Sequence, residues 1–462
     1  MTKSGLKLDR MKIYNTLTRQ KEEFKPIKEN EVGIYSCGPT VYWNQHIGNM
    51  YAFLNWDILV RVLRYLGYDV TWVMNVTDVG HNTSDADSGE DKMEKGAKRE
   101  GLTPWEIAKK YEKQFIDSLN KLNIITPNFL PKATEHIEEQ IDLAKKMEDR
   151  GFTYKTKTGL VFDTEKFIDY AKFANLKLEE MKSGSRVEVD EDKKNPWDFL
   201  LWITNQPNHI MKWQSPWGEG FPGWHLECTA MSTKYLGETF DIHTGGIEHI
   251  GVHHSNEIAQ GFGAFGHNTA KFWMHNAWLT LKEGKMSKSL GNVYTIQQLE
   301  EMGYDPLFFR YLVLSSHYRN GLVFSLESLK VAKIALNKLR SYKTDQISQV
   351  NLDFKNEFIE AISNDLAMPE AMAVVWKVIK SDLNPEEKWA TILDFDKVLG
   401  LDLNKEIEKE NIPDEVIQLN NQRLFFKKEK NYIEADKLRE KINSLGYLVE
   451  DLENTCRIRP IK

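Results

Sequence analysis

Apolar and polar positions alternate along this chain in two different rhythms. From Val32 to Cys37 the sequence V-G-I-Y-S-C is short and β-prone, and Gly38-Pro39 stops it, so a strand is expected to enter a loop there. From Asn49 to Tyr65 the apolar residues Phe53, Trp56, Leu59, Val60 and Leu63 recur three and four apart, which predicts a helix that Gly67 is placed to end. A second strand is expected at Val70–Val76. Strand, crossover helix and strand favour a parallel sheet whose functional loops lie at the carboxyl ends of its strands, so Cys37 and His46 should share one rim.

Residues from about 80 to 222 are polar and punctuated by Trp and Pro, and read as an insertion between two halves of a sheet domain. The alternation resumes with a helix near Trp224–Tyr235, a short strand at Phe240–His243, a Gly245-Gly246 turn, a helix from about Gly251 to Phe262, and β-prone residues from Phe272 to Leu281. Beyond about residue 300 the pattern is helical. Leu329, Ala332, Leu336 and Leu339 have heptad-like spacing, and Phe354–Ile362 and Ala371–Ile379 are also helix-like, so a bundle is expected. The charged run Asn404–Glu415, with Pro413, suits a linker. Met1–Arg10 carry no readable pattern.

Length and composition narrow the class. At about 150 residues per domain, 462 residues suggest roughly three domains. With 41% apolar and 28% charged residues and a net charge of −7, the chain is an ordinary globular protein rather than a disordered one. It has neither an apolar run of spanning length nor the apolar core of a signal peptide, and only three cysteines, which points to the cytoplasm and reduced thiols. The last forty residues, 423–462, hold ten basic and seven acidic side chains, making this tail +3 against −10 elsewhere. The asymmetry around Arg423, Lys427, Lys428 and Lys437 suggests an RNA-contacting end, with a solvated helical face as the plain alternative.

Candidate chemistry lies in three places. Lys285-Met286-Ser287-Lys288-Ser289 follows a β-prone segment, and by residue frequencies this pentapeptide arises by chance in roughly one chain of this length in several thousand. Two lysines in a small-residue loop are suited to a triphosphate, where charge moves toward a leaving pyrophosphate. His46-Ile47-Gly48-Asn49 stands where the first loop enters the helix, so helix-terminal N–H groups can meet a phosphate. Finally, seven of twelve histidines fall between residues 225 and 275. His253 and Glu257 are four apart on an expected helix, and Cys37 and Cys228 would complete a zinc-like N/O/S set; spacing alone equally allows His254 with Glu257.

With these motifs the sequence resembles the class I aminoacyl-tRNA synthetases, whose paired signatures read HIGH and KMSKS, and within them the cysteinyl-tRNA synthetases. The resemblance runs from about Met11 to the C-terminus. It includes Y-N-T-L-T-R-Q, Y-S-C-G-P-T-V-Y, N-V-T-D, N-P-W-D-F-L-L-W, P-G-W-H-L-E-C, H-H-S-N-E-I-A-Q and K-M-S-K-S-L-G-N. It implies an α/β fold: a Rossmann-type parallel-sheet catalytic domain split between 11–118 and 223–300, and a connective insertion at 119–222. A stem-contact segment and helical bundle at 301–403 follow, then a linker and small anticodon-contacting domain at 404–462.

The resemblance further implies ATP-dependent joining of cysteine to tRNA(Cys) by a monomer. It selects Cys37, Cys228, His253 and Glu257 as ligands of one Zn2+ that binds the substrate thiolate, with Mg2+ accompanying ATP. ATP would meet His46, Gly48, Asn49, Lys285 and Lys288, of which His46, Asn49, Lys285 and Lys288 are the catalytic set. Cysteine would meet Thr77, Trp224 and Glu248. Three positions depart from the usual pattern: Asn49 stands for the second histidine of HIGH, Glu248 for an aspartate, and Ser255 for a glutamate. Two rivals compete with this reading. A cysteine:aminosugar ligase of mycothiol synthesis would leave roughly 140 C-terminal residues without a job. A non-catalytic zinc- and RNA-binding paralogue would predict decay of K-M-S-K-S.

Overall fold

The computed structural model describes residues 11–80, 91–175, 192–282, 293–405, 413–451 and 456–460. Its centre is a four-stranded parallel sheet. In chain order it is built from β1 (Glu31–Ser36), α1 (Ile47–Tyr65), β2 (Asp69–Met74), α2 (Trp224–Leu236), β3 (Phe240–Gly246), α3 (His253–Phe265) and β4 (Ala270–Asn276). The strands lie in the order β4-β3-β1-β2, with Ile34 opposite Ile242 and Trp72, and Phe272 opposite Ile242. From β1 the chain runs outward to β2 on one side, then returns to place β3 on the other. The β1/β3 gap is therefore the switch point, where open α/β sheets bind ligands at the strands' carboxyl ends.

Both faces of this sheet are covered, which explains why its strands read as near-continuous apolar runs. Val32, Ile34, Val70, Trp72, Met74, Ile242 and Met274 join α1 in one core, while Tyr35, Val73, Phe240 and Trp273 join α2 and α3 in a second. Phe53, Trp56, Leu59, Val60 and Leu63 of α1 are all buried, as their helical spacing requires. The helix stops where Gly67 turns with φ +96° and donates its N–H to Arg64 O at 3.0 Å.

Two strand readings are corrected by the structure. Gly245 and Gly246 do not turn: they extend β3, paired with His275 and Asn276. The β-prone stretch 272–281 is two strands, because after β4 the segment Leu279–Leu281 leaves the sheet to pair in parallel with Leu322–Phe324. The helix bearing His253 and Glu257 begins at His253 rather than Gly251, Val252 having left helical geometry at φ −125°, ψ −65°.

The stretch between β2 and α2 contains helices Lys92–Glu100, Pro104–Lys121 and Ile137–Asp149 and an antiparallel four-stranded sheet from Thr153 to Pro222. Past residue 300, helices Pro306–Leu314, Leu326–Arg340, Leu352–Ser363, Met368–Lys380 and Pro385–Leu399 follow one another, and Leu329, Ala332, Leu336 and Leu339 are buried on one stripe, as their spacing predicts. Among the described residues no helix is long and apolar enough to cross a membrane.

The chain divides into two compact units, residues 1–404 and 405–462. The smaller contains helices Asp414–Lys428 and Tyr432–Ser444 and an antiparallel pair, Tyr447–Asp451 with Cys456–Pro460, around Val416, Leu419, Ile442 and Val449. Asp414 and Glu415, expected in the linker, are the first turn of a helix whose dipole favours acidic residues there. Arg423, which opens the basic segment, has an internal role. Arg423 is buried and donates to Asp451 at 2.7 and 3.2 Å and to Asn420 at 3.0 Å, and Lys427 adds an ion pair to Asp451 at 2.9 Å. Arg423 and Lys427 thus spend their charge on one internal partner, Asp451.

Candidate active site and metal centre

The switch point holds a buried cluster of sulfur, nitrogen and oxygen donors. Cys37 follows β1 and donates its N–H to Thr244 O of β3 at 3.1 Å, which fixes its thiol at the β1/β3 gap. Cys228 lies in α2, with its sulfur 3.9 Å from that of Cys37; both are free thiols. From α3, Glu257 Oε1 approaches His253 Nε2 at 3.2 Å and Cys37 Sγ at 4.0 Å. His254 Nε2 is 3.2 Å from Cys37 Sγ and 3.8 Å from Glu257 Oε1.

Cys37, His253, His254 and Glu257 offer donor atoms all within 4.8 Å of one another; Cys228 stands just outside this tightest group, beside Cys37. The sequence left His253 and His254 as alternatives, and the structure brings both in. His243 and His275, which the motif reading did not single out, join them. His243 Nε2 is 3.5 Å from Cys37 Sγ, and His275 Nε2 lies 2.7 Å from His254 Nδ1 while its Nδ1 meets Thr16 Oγ1 at 2.8 Å. The crowding of histidines between residues 225 and 275 was the available signal.

Electrostatics disfavour charge in this cluster without a cation. Burial, then the neighbouring Cys228, pushes the Cys37 thiol well above its usual range, and burial does the same to the Glu257 carboxyl. Burial likewise holds the His243 and His254 imidazoles neutral. Neutral imidazoles beside latent thiolates and a latent carboxylate are what a divalent cation requires. The spacings also fit: two sulfurs about 2.3 Å from a tetrahedral zinc stand about 3.8 Å apart, and a nitrogen and an oxygen about 3.4 Å apart.

Polar groups from three elements close in around the cluster. Gly38 donates its N–H to Asn75 Oδ1 at 2.8 Å, and a Cβ on Gly38 would come to 1.6 Å from Asn75 O, so only glycine passes here. Asn75 Nδ2 donates to Thr77 Oγ1 at 3.1 Å, and Thr77 donates in turn to the fully buried Glu227 at 2.8 Å. Trp224, the first residue of α2, stands with its ring centre 4.2 Å from that of His253. Glu248 lies on a short turn after β3, exposed, with its carboxylate accepting from Trp278 Nε1 at 2.9 Å.

His46 caps α1. Its Nδ1 accepts from Asn49 N at 3.3 Å, and Asn49 Oδ1 accepts from His46 N at 3.3 Å, a reciprocal capping box that fixes both side chains at the helix start with Gly48 between them. Lys285 and Lys288 lie outside the described residues. The chain is described again at Val293, and Ile47 donates to Tyr294 O at 2.8 Å while Thr295 bridges His46. The two motifs, 239 residues apart in sequence, are thus adjacent at their flanks.

Comparison with known proteins follows the same line. The family model for the tRNA synthetases class I (C) catalytic domain matches residues 23–334. A cysteine-tRNA ligase of Treponema denticola is 43% identical over 96% of this chain and 98% of its own length. Cysteine-tRNA ligase 1 of Burkholderia lata is 44% identical over 96% of each, and a cysteine-tRNA ligase of Thermus thermophilus is 38% identical over 97% and 98%. Among solved structures, Mycobacterium tuberculosis methionyl-tRNA synthetase in complex with methionyl-adenylate superposes with a TM-score of 0.55 at 15% identity, covering 80% of this chain and 90% of its own. This likeness concerns the fold.

Proposed function

The chain belongs to the cysteine-tRNA ligase family of class I tRNA synthetases, and on that premise we propose how its residues divide the work of joining cysteine to tRNA. The observation that carries the reading is the buried donor cluster at the β1/β3 switch point, beside the capped entry to α1. Cys37, Cys228, His253 and Glu257 would hold a zinc ion, with His254 Nε2 beside them at 3.2 Å from Cys37 Sγ. The Cys37–Cys228 and His253–Glu257 separations of 3.9 and 3.2 Å lie near the edges of a tetrahedral site, whereas the His254–Glu257 separation is longer at 3.8 Å. Zinc there supplies a soft Lewis acid that favours a deprotonated thiol over a serine hydroxyl. Selectivity of this kind exceeds what a pocket gains against an added or missing methylene, so the insertion need not be an editing domain.

The remaining steps belong to the chain's own residues. Thr77 gives its one hydroxyl hydrogen to Glu227 and receives one from Asn75, which leaves it an acceptor for the substrate ammonium. Trp224 walls the pocket, and Glu248 supplies a carboxylate to the same ammonium. The cysteine carboxylate is ionised at neutral pH, so its attack on the ATP α-phosphate needs no general base. With Nδ1 accepting from Asn49, the His46 ring carries its hydrogen on Nε2, a donor toward phosphate or ribose at the positive end of α1. Lys285 and Lys288 stabilise charge moving onto the leaving pyrophosphate, and Mg2+ accompanies ATP. The terminal ribose hydroxyl of tRNA then takes the cysteinyl group. Residues 301–403 contact the tRNA stem and 404–462 the anticodon, in a cytoplasmic monomer, the family's usual form.

Charging of total tRNA with labelled cysteine in the presence of excess serine, together with zinc analysis of the purified protein, tests this scheme. Cysteinyl-tRNA with about one zinc per chain is the expected result. Cys228→Ala should weaken cysteine binding far more than ATP binding, and equal losses would refute a metal that contacts substrate. Adenylation without tRNA charging would point instead to an aminosugar ligase, and inactivity in both steps to a binding paralogue.

A further inference from the structure

We propose that Trp278 is a positioning residue that holds the Glu248 carboxylate in place for the substrate ammonium, an inference that rests on the amino-acid pocket proposed above. Gly246 ends β3 at the switch point. A Cβ built on it would fall 2.2 to 2.4 Å from Oε1, Cδ and Oε2 of Glu248, so the carboxylate doubles back over the strand end into space that only glycine leaves open. On a short turn and exposed to solvent, a glutamate with three side-chain torsions has no reason to stay folded back unless something holds it. The indole N–H of Trp278, 2.9 Å from Oε2, supplies that hold.

Trp278 is itself anchored. Its neighbour Ala277 donates to Tyr318 O at 2.8 Å, Trp278 O accepts from Leu322 N at 3.2 Å, and the strand that follows pairs with Leu322–Phe324. Its side chain is 58% exposed, so core packing does not account for a tryptophan at this position. With Oε2 engaged by the indole, Oε1 is presented over Gly246. Glutamate carries one methylene more than an aspartate, and the Trp278 hydrogen bond takes up that extra length.

Cysteine-dependent pyrophosphate exchange by the full-length, zinc-loaded enzyme tests this, with KM for cysteine and for ATP measured separately. Trp278→Phe keeps a ring and removes the donor. It should raise KM for cysteine roughly fivefold, the worth of one ordinary hydrogen bond, and leave KM for ATP within about twofold. In a Glu248→Gln background the same change should add less than about twofold, because its effect passes through that carboxylate. In a Glu248→Asp background, whose carboxylate is too short to need the hold, it should again add little. An unchanged cysteine KM in Trp278→Phe, with Glu248→Gln impaired, would overturn the positioning role and leave the pocket standing. An unchanged cysteine KM in Glu248→Gln would overturn the pocket assignment and the inference with it. Losses that simply multiply in the double variant would show that Trp278 acts independently of Glu248, which also overturns it.

Discussion

Arg310 ties the helix that carries His46 to the helical segment beyond residue 300, and replacing it by methionine tests how that tie holds. The side chain is fully buried. Nε donates to Leu399 O at 2.6 Å, one terminal nitrogen to Leu122 O and Asn123 O at 3.0 and 3.1 Å, and the other to Asp57 Oδ2 of α1 at 2.5 Å. Asp57 is not orphaned by the change, since Arg61 Nε also reaches Oδ2 at 2.8 Å and Ile125 N reaches Oδ1 at 2.8 Å; Asn123 O likewise keeps a bond from Arg61. The carbonyls of Leu399 and Leu122 lose the guanidinium that reached them, at roughly 1–3 kcal/mol each. The methionine stem replaces much of the buried volume, and relief of guanidinium desolvation offsets part of the loss.

The net expectation for Arg310→Met is about 3 kcal/mol of destabilisation, at the lower end of what breaking a buried ion pair costs. Equilibrium urea unfolding followed by tryptophan fluorescence reads it, with Asp57→Asn and the double variant completing a cycle. The two changes should couple by at least about 1 kcal/mol, because the groups are in contact. If Arg310→Met unfolds within about 0.5 kcal/mol of the parent, or the two losses add without coupling, the hub is not what holds α1 to the helical segment.

Other expectations concern the site and the smaller unit. Gly38→Ala should abolish cysteine-dependent exchange while circular dichroism stays near that of the parent, because its Cβ would strike Asn75 O at the edge of the donor cluster. Burial pushes the Asp78 carboxyl up to about 6 despite two bonds from Thr134, so the folded chain holds this proton more tightly than the unfolded chain does. Its contribution favours folding below about pH 4 and is lost as pH rises through about 6, up to about 3 kcal/mol, and Asp78→Asn should flatten that slope in pH-dependent unfolding. Arg423→Met should unfold the 405–462 unit, read as protease sensitivity confined to that part of the chain, rather than merely weaken tRNA binding.

The parts of this molecule that were legible in the sequence share a physical trait: their signal is local. The α1 stripe of Phe53, Trp56, Leu59, Val60 and Leu63 repeats within a single helix, and His253 and Glu257 are one turn apart. What stayed hidden is held by partners distant in sequence. Asp57 meets Arg310 across 253 residues, Thr77 meets Glu227 across 150, and Thr16 meets His275 across 259. The partner of Arg423 was hidden for the same reason: its charge was visible, but the Asp451 that neutralises it sits 28 residues away on a strand. Gly245-Gly246 misled differently. A glycine pair normally signals a turn, yet here Gly246 leaves room at a strand end for the Glu248 carboxylate to fold across the backbone.

Asn49 shows how a departure from a motif is resolved once the fold is known. An asparagine in place of a second histidine gives up a group that could carry charge near a phosphate. It sits at the third position of α1, where a short side-chain acceptor can reach back to the N-cap N–H, and its Oδ1 does so at 3.3 Å. That bond, with the returning one from Asn49 N to His46 Nδ1, makes Nδ1 the acceptor of the capping box, which is the tautomer the proposed donor role of Nε2 needs. Under the proposed scheme the positive charge needed at the phosphates would then fall to the dipole of α1 and to Lys285 and Lys288, with His46 as a directed hydrogen-bond donor. On this account Asn49 acts by orienting His46.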